Sequence, residues 1–239
     1  MPRFFVDSIN GESITVCGAD ASHIALSLRM RVGEQVTLCG GGIDALCELT
    51  SITPEAVVCR VIETCPSSSE PDVRLRLFQA VPKGEKAEII VQKAVELGVS
   101  EITFMLTERC ISRPDAKSFA KKLNRYNRIA LEAAKQSGRS IVPEVNGMLT
   151  LAQAAEQAAA ADSVVWCYEK GGCTFSSLGL TAGSTIALLI GSEGGFSDSE
   201  AELLTGRGFK PVSMGSRILR CETAPLAAAA IIMNLTGNM

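Results

Sequence analysis

Hydrophobic positions change rhythm once along this chain. Up to about residue 64 they come in short runs, and Ser13–Cys17, Gln35–Cys39, Ala45–Ile52 and Ala56–Glu63 read as strands. Gly33 and Gly40-Gly-Gly42 mark turns between them. Strands at this spacing predict a small barrel or sandwich. Cys65-Pro-Ser-Ser-Ser-Glu-Pro-Asp72 reads as a Pro/Ser linker and the best boundary in the chain. Beyond it, strands alternate with helical periods. Val73–Ala80, Glu101–Leu106 and Ser163–Cys167 are predicted strands, and Lys86–Leu97, Asp115–Gln136 and Leu151–Ala160 are predicted helices. Gly98 and Gly138 stop the first two helices. This βαβ rhythm predicts a mostly parallel sheet covered on both faces. The boundaries place one domain at 1–68 and an α/β domain at 73–239.

The last fifty residues break the rhythm in an informative way. The apolar run Thr185–Ile190 passes directly into Gly191-Ser-Glu-Gly-Gly-Phe-Ser-Asp-Ser-Glu200. A second run, Lys210–Met214, passes into Gly215-Ser-Arg-Ile-Leu-Arg-Cys-Glu-Thr-Ala-Pro225, and an alanine-rich helix follows. Two strand-to-loop breaks of this kind put two backbone-lined bends at one sheet edge, where open α/β sheets bind small ligands. Gly191, Gly194 and Gly195 remove side chains at three of five positions, as close backbone approach requires. The plainer reading is a tight turn, with Ser197 or Asp198 capping the next helix. Neither Gly-x-Gly-x-x-Gly nor a Gly-Lys-Ser/Thr loop is present. The second bend sets Met214, Ile218 and Leu219 beside Arg220, Glu222 and Thr223, a composition suited to an adenine slot, although Met214 and Ile218 would equally suit a core. Thr223 fits an N-cap ahead of Pro225.

Composition narrows the class. A hydrophobic fraction of 46% suffices for a packed core. No window approaches the roughly 18 apolar residues of a membrane helix. Nine cysteines at irregular spacing, with no Cys-x-x-Cys, speak against a zinc site or disulfide framework. Free thiols without an export signal point to the cytoplasm. One histidine, His23, leaves no multi-histidine metal centre, so no metal is expected.

The net charge of −3 conceals a gradient. Residues 1–65 carry four basic and eight acidic side chains, and 140–239 carry five and nine. Residues 101–139 carry nine basic and four acidic, a local 9 − 4 = +5, and RNA attraction depends on where charge sits. Phe119, Leu123, Tyr126, Ala130 and Ala133 form a buried stripe at helical spacing, leaving Lys117, Lys121, Arg125 and Arg128 on another face. Arg3, Arg29 and Arg31 form a smaller basic group.

Ile190–Glu200 and Met214–Ala224 resemble the two signature segments of the RsmE family, whose members methylate N3 of a uridine in 16S ribosomal RNA with S-adenosylmethionine. The similarity extends through Val81-Pro-Lys-Gly-Glu-Lys86, Gln92–Gly98, Gln136-Ser-Gly-Arg139 with Pro143, and Pro2-Arg-Phe-Phe5, nearly the whole chain. Family members often carry proline where this chain has Ser192. The resemblance implies a SPOUT methyltransferase domain with a C-terminal trefoil knot, a PUA-like RNA-binding β-barrel at 1–68, and a homodimer acting on the small ribosomal subunit. It implies that Tyr168, Glu169, Leu189, Ile190, Gly191, Gly195, Met214, Leu219, Arg220, Thr223 and Ala224 hold the cofactor. Arg220, permanently protonated, would stabilise the uracil anion, and Glu193 or Glu222 would accept the N3 proton. Lys83, Lys121, Arg125, Arg128, Arg139, Arg3, Arg29 and Arg31 are the candidate RNA contacts. Cys221 as a nucleophile is outweighed by a buried structural thiol. Two rivals remain: an RNA-binding ribosome-assembly factor, which would bind no S-adenosylmethionine, and an enzyme of ATP or NAD gripping phosphate at a helix end.

Overall fold

A computed structural model describes residues 1–239. The chain divides into two compact units: Met1–Glu70 with Ala134–Ile141, and Pro71–Ala133 with Val142–Met239.

The first unit is built on a five-stranded sheet. Its strands are β1 (Arg3–Phe5), β2 (Ser13–Cys17), β3 (Gln35–Gly40), β4 (Ile43–Ile52) and β5 (Ala56–Pro66), in the order β1-β3-β4-β5-β2. β1 pairs parallel with β3 and the other ladders are antiparallel. Hydrogen bonding leaves β1 and β2 as the two ends of the ladder, so the expected barrel is not closed by a strand pair. A short helix, α1 (Gly18–Ser22), runs into a wider turn at His23–Ser27. Alternation is clean on β2, where Ile14 and Val16 point inward. With Ile24, Val36, Leu38, Leu49 and Val57 they form the core of this unit.

The stretch expected to be a linker is firmly held. Ser67 N–H donates to Gly42 O at 2.9 Å, and Ser69 Oγ donates to Gly138 O at 2.6 Å. Glu70 accepts from the Arg139 guanidinium at 2.8 Å and from the Ser140 and Ile141 amides at 2.7 and 2.9 Å. Arg139 is only 3% exposed. Its expected part in RNA contact is therefore corrected: the buried guanidinium is paired with the Glu70 carboxylate, itself 12% exposed. Arg3 is also committed internally, with Nη1 and Nη2 on Asp44 at 2.9 and 2.6 Å.

The second unit carries a six-stranded, wholly parallel sheet. Its strands are β6 (Arg74–Ala80), β7 (Glu101–Leu106), β8 (Glu144–Thr150), β9 (Ser163–Cys167), β10 (Thr185–Ile190) and β11 (Lys210–Val212), in the order β11-β9-β10-β6-β7-β8. Five helices accompany it: α2 (Lys86–Glu96), α3 (Ala116–Ser137), α4 (Leu151–Ala158), α5 (Asp198–Gly206) and α6 (Thr223–Leu235). Strands buried on both faces read as unbroken apolar runs, and Ile186–Ile190 of β10 are all buried. Phe104, Phe119 and Tyr126 stack in a cluster with ring centroids 5.2–6.4 Å apart, which fixes the predicted apolar stripe of α3 on the sheet. No helix is long and apolar enough to cross a membrane.

Because every strand runs the same way, the loops after β6, β7, β9, β10 and β11 all emerge at one edge. That edge holds the site. Removing one partner of a buried ion pair costs roughly 3–5 kcal/mol. Glu70→Ala is therefore expected to lower unfolding free energy by about 3 kcal/mol in urea denaturation, while a surface control such as Glu132→Ala leaves it within about 0.5 kcal/mol.

Candidate functional site

β10 is the central support of the site. It pairs with β9 on one side and β6 on the other, so Leu189 is in register with both Trp166 and Phe78. At its end the chain turns sharply: Gly195 N–H donates to Ser192 O at 2.9 Å. Gly195 sits at φ +67°, the left-handed region that favours glycine. A Cβ there would lie 2.7 Å from Glu169 Oε1, and one on Gly191 would lie 3.1 Å from the Gly195 carbonyl carbon. Gln79 of β6 buttresses the turn, donating from Nε2 to Gly191 O at 3.4 Å. On the opposite side Arg109 Nη1 donates to Gly194 O at 2.9 Å. The turn then enters α5 through a capping box in which Ser197 Oγ accepts from Glu200 N–H and Glu200 Oε2 accepts from Ser197 N–H.

The second bend follows β11, which stops at Val212 instead of Met214. Gly172, at φ +140°, lies so close to Pro211 that a Cβ would fall 2.5 Å from Pro211 O. This contact seats the β9 loop beside β11. Between the two bends lies a cavity of about 240 Å³. Of the residues expected at a cofactor site, Tyr168, Glu169, Ile190, Gly191, Gly195, Met214, Leu219 and Ala224 line it. Leu189 is fully buried inside β10 and does not reach it. Arg220 and Thr223 are exposed and lie outside the lining. Thr223 is the first residue of α6, not its cap. The cap position belongs to Glu222. Ile218, read as possible core, is 88% exposed at the mouth.

Two polar groups here are buried without a partner. Ser192 Oγ lines the cavity, and Gln79 Oε1 lies behind the first turn. Buried polar atoms are nearly always satisfied, so an orphan at a cavity wall marks a group waiting for a ligand atom or water. Backbone edges, an apolar wall from Met214, Ile218 and Leu219, and this hydroxyl suit an elongated molecule with an adenine end. No cluster of three or more His, Cys, Asp or Glu side chains is assembled that could hold a metal ion.

The candidate carboxylates are not free. Lys86 Nζ lies 3.1 Å from Glu193 Oε1, 3.2 Å from Glu222 Oε2 and 3.6 Å from Cys221 Sγ. Burial alone would raise the Glu193 pKa, but hydrogen bonds from its own amide, the Lys83 amide and Lys86 outweigh it and bring the carboxyl to about 2. Glu222 is also lowered, against burial, by its own amide and by Lys86. The Cys221 thiol is pushed up to about 12 by burial, with Glu193 and Glu222 adding to the effect, so it is protonated at neutral pH and a poor nucleophile. Lys86 was missed as a site residue. Its only sequence signal is its place in the 81–86 segment of the family resemblance.

The remaining cations are distributed. Lys83, Lys121 and Arg128 are exposed, as are Arg29 and Arg31. Arg125 is exposed too, although it pairs with Glu88 at 2.8 Å.

Comparison with known proteins gives a consistent neighbourhood. Residues 69–233 match the family model described as an RNA methyltransferase domain, and residues 16–62 match an RNA methyltransferase PUA domain. The chain is 33% identical to ribosomal RNA small subunit methyltransferase E of Bacillus subtilis, over 97% of this chain and 96% of that one. A crystal structure of ribosomal RNA small subunit methyltransferase E from Neisseria gonorrhoeae bound to S-adenosyl methionine superposes with a TM-score of 0.84 at 30% identity, covering 99% and 98% of the two chains. A methyltransferase structure from Legionella pneumophila with bound cofactor SAM gives 0.83 at 31%, covering 98% and 97%.

Two outcomes test the geometry. Gly195→Ala forces a side chain into the left-handed region, which costs roughly 1–2 kcal/mol, and should lower the melting temperature by about 2–8 °C in a thermal scan. Glu193, with a folded pKa near 2 against an ordinary 4.5, stabilises the protein above pH 4.5 and loses that contribution as pH falls toward 2. The stability advantage of the parent over Glu193→Gln, read from urea midpoints, should therefore shrink steadily across that window.

Proposed function

The chain belongs to the small-subunit ribosomal RNA methyltransferase E family, and from that membership we propose that it transfers a methyl group from S-adenosylmethionine to N3 of a uridine in 16S ribosomal RNA. The observation that carries the reading is the cavity between the two bends, lined by Glu169, Gly191, Gly195, Met214 and Leu219. Its orphaned Ser192 hydroxyl and its apolar wall fit the donor. When bound there, the donor supplies a methyl on a sulfonium, which calls for in-line approach of a nucleophile and exclusion of water.

The chain's own residues divide the remaining work. Backbone around Ile190–Gly191 and Leu219 holds the donor, with Tyr168 and Glu169 closing the side toward β9. Glu193, brought to about 2, and Glu222, also lowered by its own amide and by Lys86, have little affinity for a proton at neutral pH. Glu193 and Glu222 are therefore assigned to anchoring the bends, and the N3 proton is left to solvent as the uracil anion forms. Arg220, exposed on the second bend, stabilises that anion through its carbonyl oxygens. Positioning supplies the rest of the acceleration. Exposed Lys83, Lys121, Arg125 and Arg128, together with Arg29 and Arg31, hold RNA phosphates, and the target base is unstacked to reach the donor.

The finer architecture follows the same reading. The two bends and α6 form a trefoil knot, and two copies associate as a homodimer. Ile231 and Leu235, one turn apart on α6, stay 38% and 39% exposed, an apolar strip suited to a twofold contact. The cytoplasm is the compartment where such a chain meets 16S rRNA.

Mass spectrometry of 16S rRNA nucleosides from cells lacking this protein tests the reaction. Loss of 3-methyluridine, restored by a copy of the gene, is expected. Unchanged 3-methyluridine would defeat the assignment.

A further inference from the structure

Lys86 stands where a helix does not favour a cation. It is the first residue of α2, and a helix N-terminus carries partial positive charge. Two carboxylates from elsewhere hold it: Glu193 Oε1 at 3.1 Å and Glu222 Oε2 at 3.2 Å. Cys221 Sγ adds a third contact at 3.6 Å. The contacts to Glu193 and Cys221 are hydrogen bonds and that to Glu222 is an ion pair, so three groups of the protein hold the ammonium. Glu193 belongs to the first bend, whereas Cys221 and Glu222 form the root of the second bend where it enters α6. Lys86 itself opens α2, directly after the loop that follows β6. One nitrogen thus gathers three segments of the site edge.

The second bend needs such an anchor. From Met214 to Leu219 its one hydrogen bond runs from Gly215 N–H to Ser213 Oγ, at 3.2 Å. Yet this stretch supplies a whole wall of the cavity, and Ile218 within it is 88% exposed. Glu222 occupies the N-cap position of α6 without making a side-chain cap bond, and its carboxylate goes to Lys86 instead. The first bend is held at both sides by Gln79 and Arg109. The second is held mainly at its root.

We propose that Lys86 is a positioning residue whose ammonium ties the first bend to the root of the second, setting the width of the cavity so that donor binding depends on a side chain that never touches the donor. Removing the ammonium frees the root of the second bend. It also leaves two carboxylates that shared one cation facing each other without it, which drives the bends apart. The inference rests on the reading that the cavity takes S-adenosylmethionine, and it adds the residue that shapes it.

Calorimetric titration of the full-length protein with S-adenosylmethionine is the test, on the parent, Lys86→Met, Glu222→Gln and the double variant, with amide hydrogen exchange on each. Lys86→Met should raise Kd about tenfold, within the range of coupling seen between contacting residues. Amide exchange should quicken at Thr223 and Ala224, whose amides donate to Arg220 O at the root of the second bend, while β6 and β7 stay protected. The double variant should bind no worse than Lys86→Met alone, because both substitutions cut the same tie. A purely structural lysine would change stability without this confined exchange or this non-additivity. Binding within twofold of the parent, or losses that add in the double variant, would overturn the tie. A parent that takes up no S-adenosylmethionine would sink the cofactor reading, and the tie's role in binding with it. Should Lys86→Met fail to fold, Glu222→Gln carries the same two readouts: weaker binding with faster exchange at Thr223 and Ala224 supports the proposal, and the absence of either change overturns it.

Discussion

The site depends on how closely backbone can approach backbone at the end of β10. Gly191 and Gly195 face each other across a turn in which a Cβ on Gly191 would lie 3.1 Å from the Gly195 carbonyl carbon, tighter than folded proteins normally allow. Only because both positions lack side chains can the chain leave a fully buried strand, reverse within five residues and still present peptide edges to a cavity. Everything else at the edge is arranged around that turn. The β9 loop brings Glu169 against Gly195, the β6 strand brings Gln79 under Gly191, and the β7 loop brings Arg109 onto Gly194. An all-parallel sheet makes this convergence possible, since it delivers the ends of four neighbouring strands to the same side.

Charge at the site is paired within the protein. Two acids and one thiol lie within 3.6 Å of one ammonium. In an active site built for general base catalysis, one carboxylate would be desolvated and unpaired, with its pKa carried upward toward the working pH. Here both are carried downward, because amide donors and Lys86 favour the charged form more than partial burial disfavours it. In the proposed reading, side chains that look catalytic by type and position serve as anchors by environment. Methyl transfer can tolerate that. A sulfonium donor needs alignment and a dry path more than it needs a strong base, and alignment is what a fixed pair of bends provides.

Much of this was legible in the residues. The period-2 and period-3.6 patterns gave β2, β7, β9 and β10 to the residue, and α2 and α3 to within one. Strand β8 escaped because Asn146 and Gly147 interrupt its apolar pattern, and β1 because three residues carry no period. The ligand-side bends were readable from glycine spacing together with the family resemblance. What could not be read were partners. Nothing in local sequence says that Arg139 closes on Glu70, sixty-nine positions away, or that Lys86 gathers Glu193 and Glu222 from more than a hundred positions along the chain. A basic residue on an RNA-binding protein invites assignment to phosphate. Only burial distinguishes Arg139, 3% exposed, from Arg128, which is open to solvent.

The unmet bonds of the site point the same way as its filled ones. Folded interiors leave few polar atoms unsatisfied, yet Ser192 Oγ and Gln79 Oε1 are both buried and unpaired within one residue of Gly191 or hydrogen-bonded through it. An orphan of this kind costs about 1–3 kcal/mol, which selection would remove from a purely structural turn by placing an apolar side chain there. At Ser192 this chain keeps a hydroxyl at the cavity wall. Beside it the second bend spends almost none of its own hydrogen-bonding capacity. Rigid on one wall and sparsely bonded on the other, the cavity is arranged so that an incoming polar ligand completes bonds that the protein alone leaves open. Binding energy then goes into closing the site around the donor rather than into reshaping the strand that supports it.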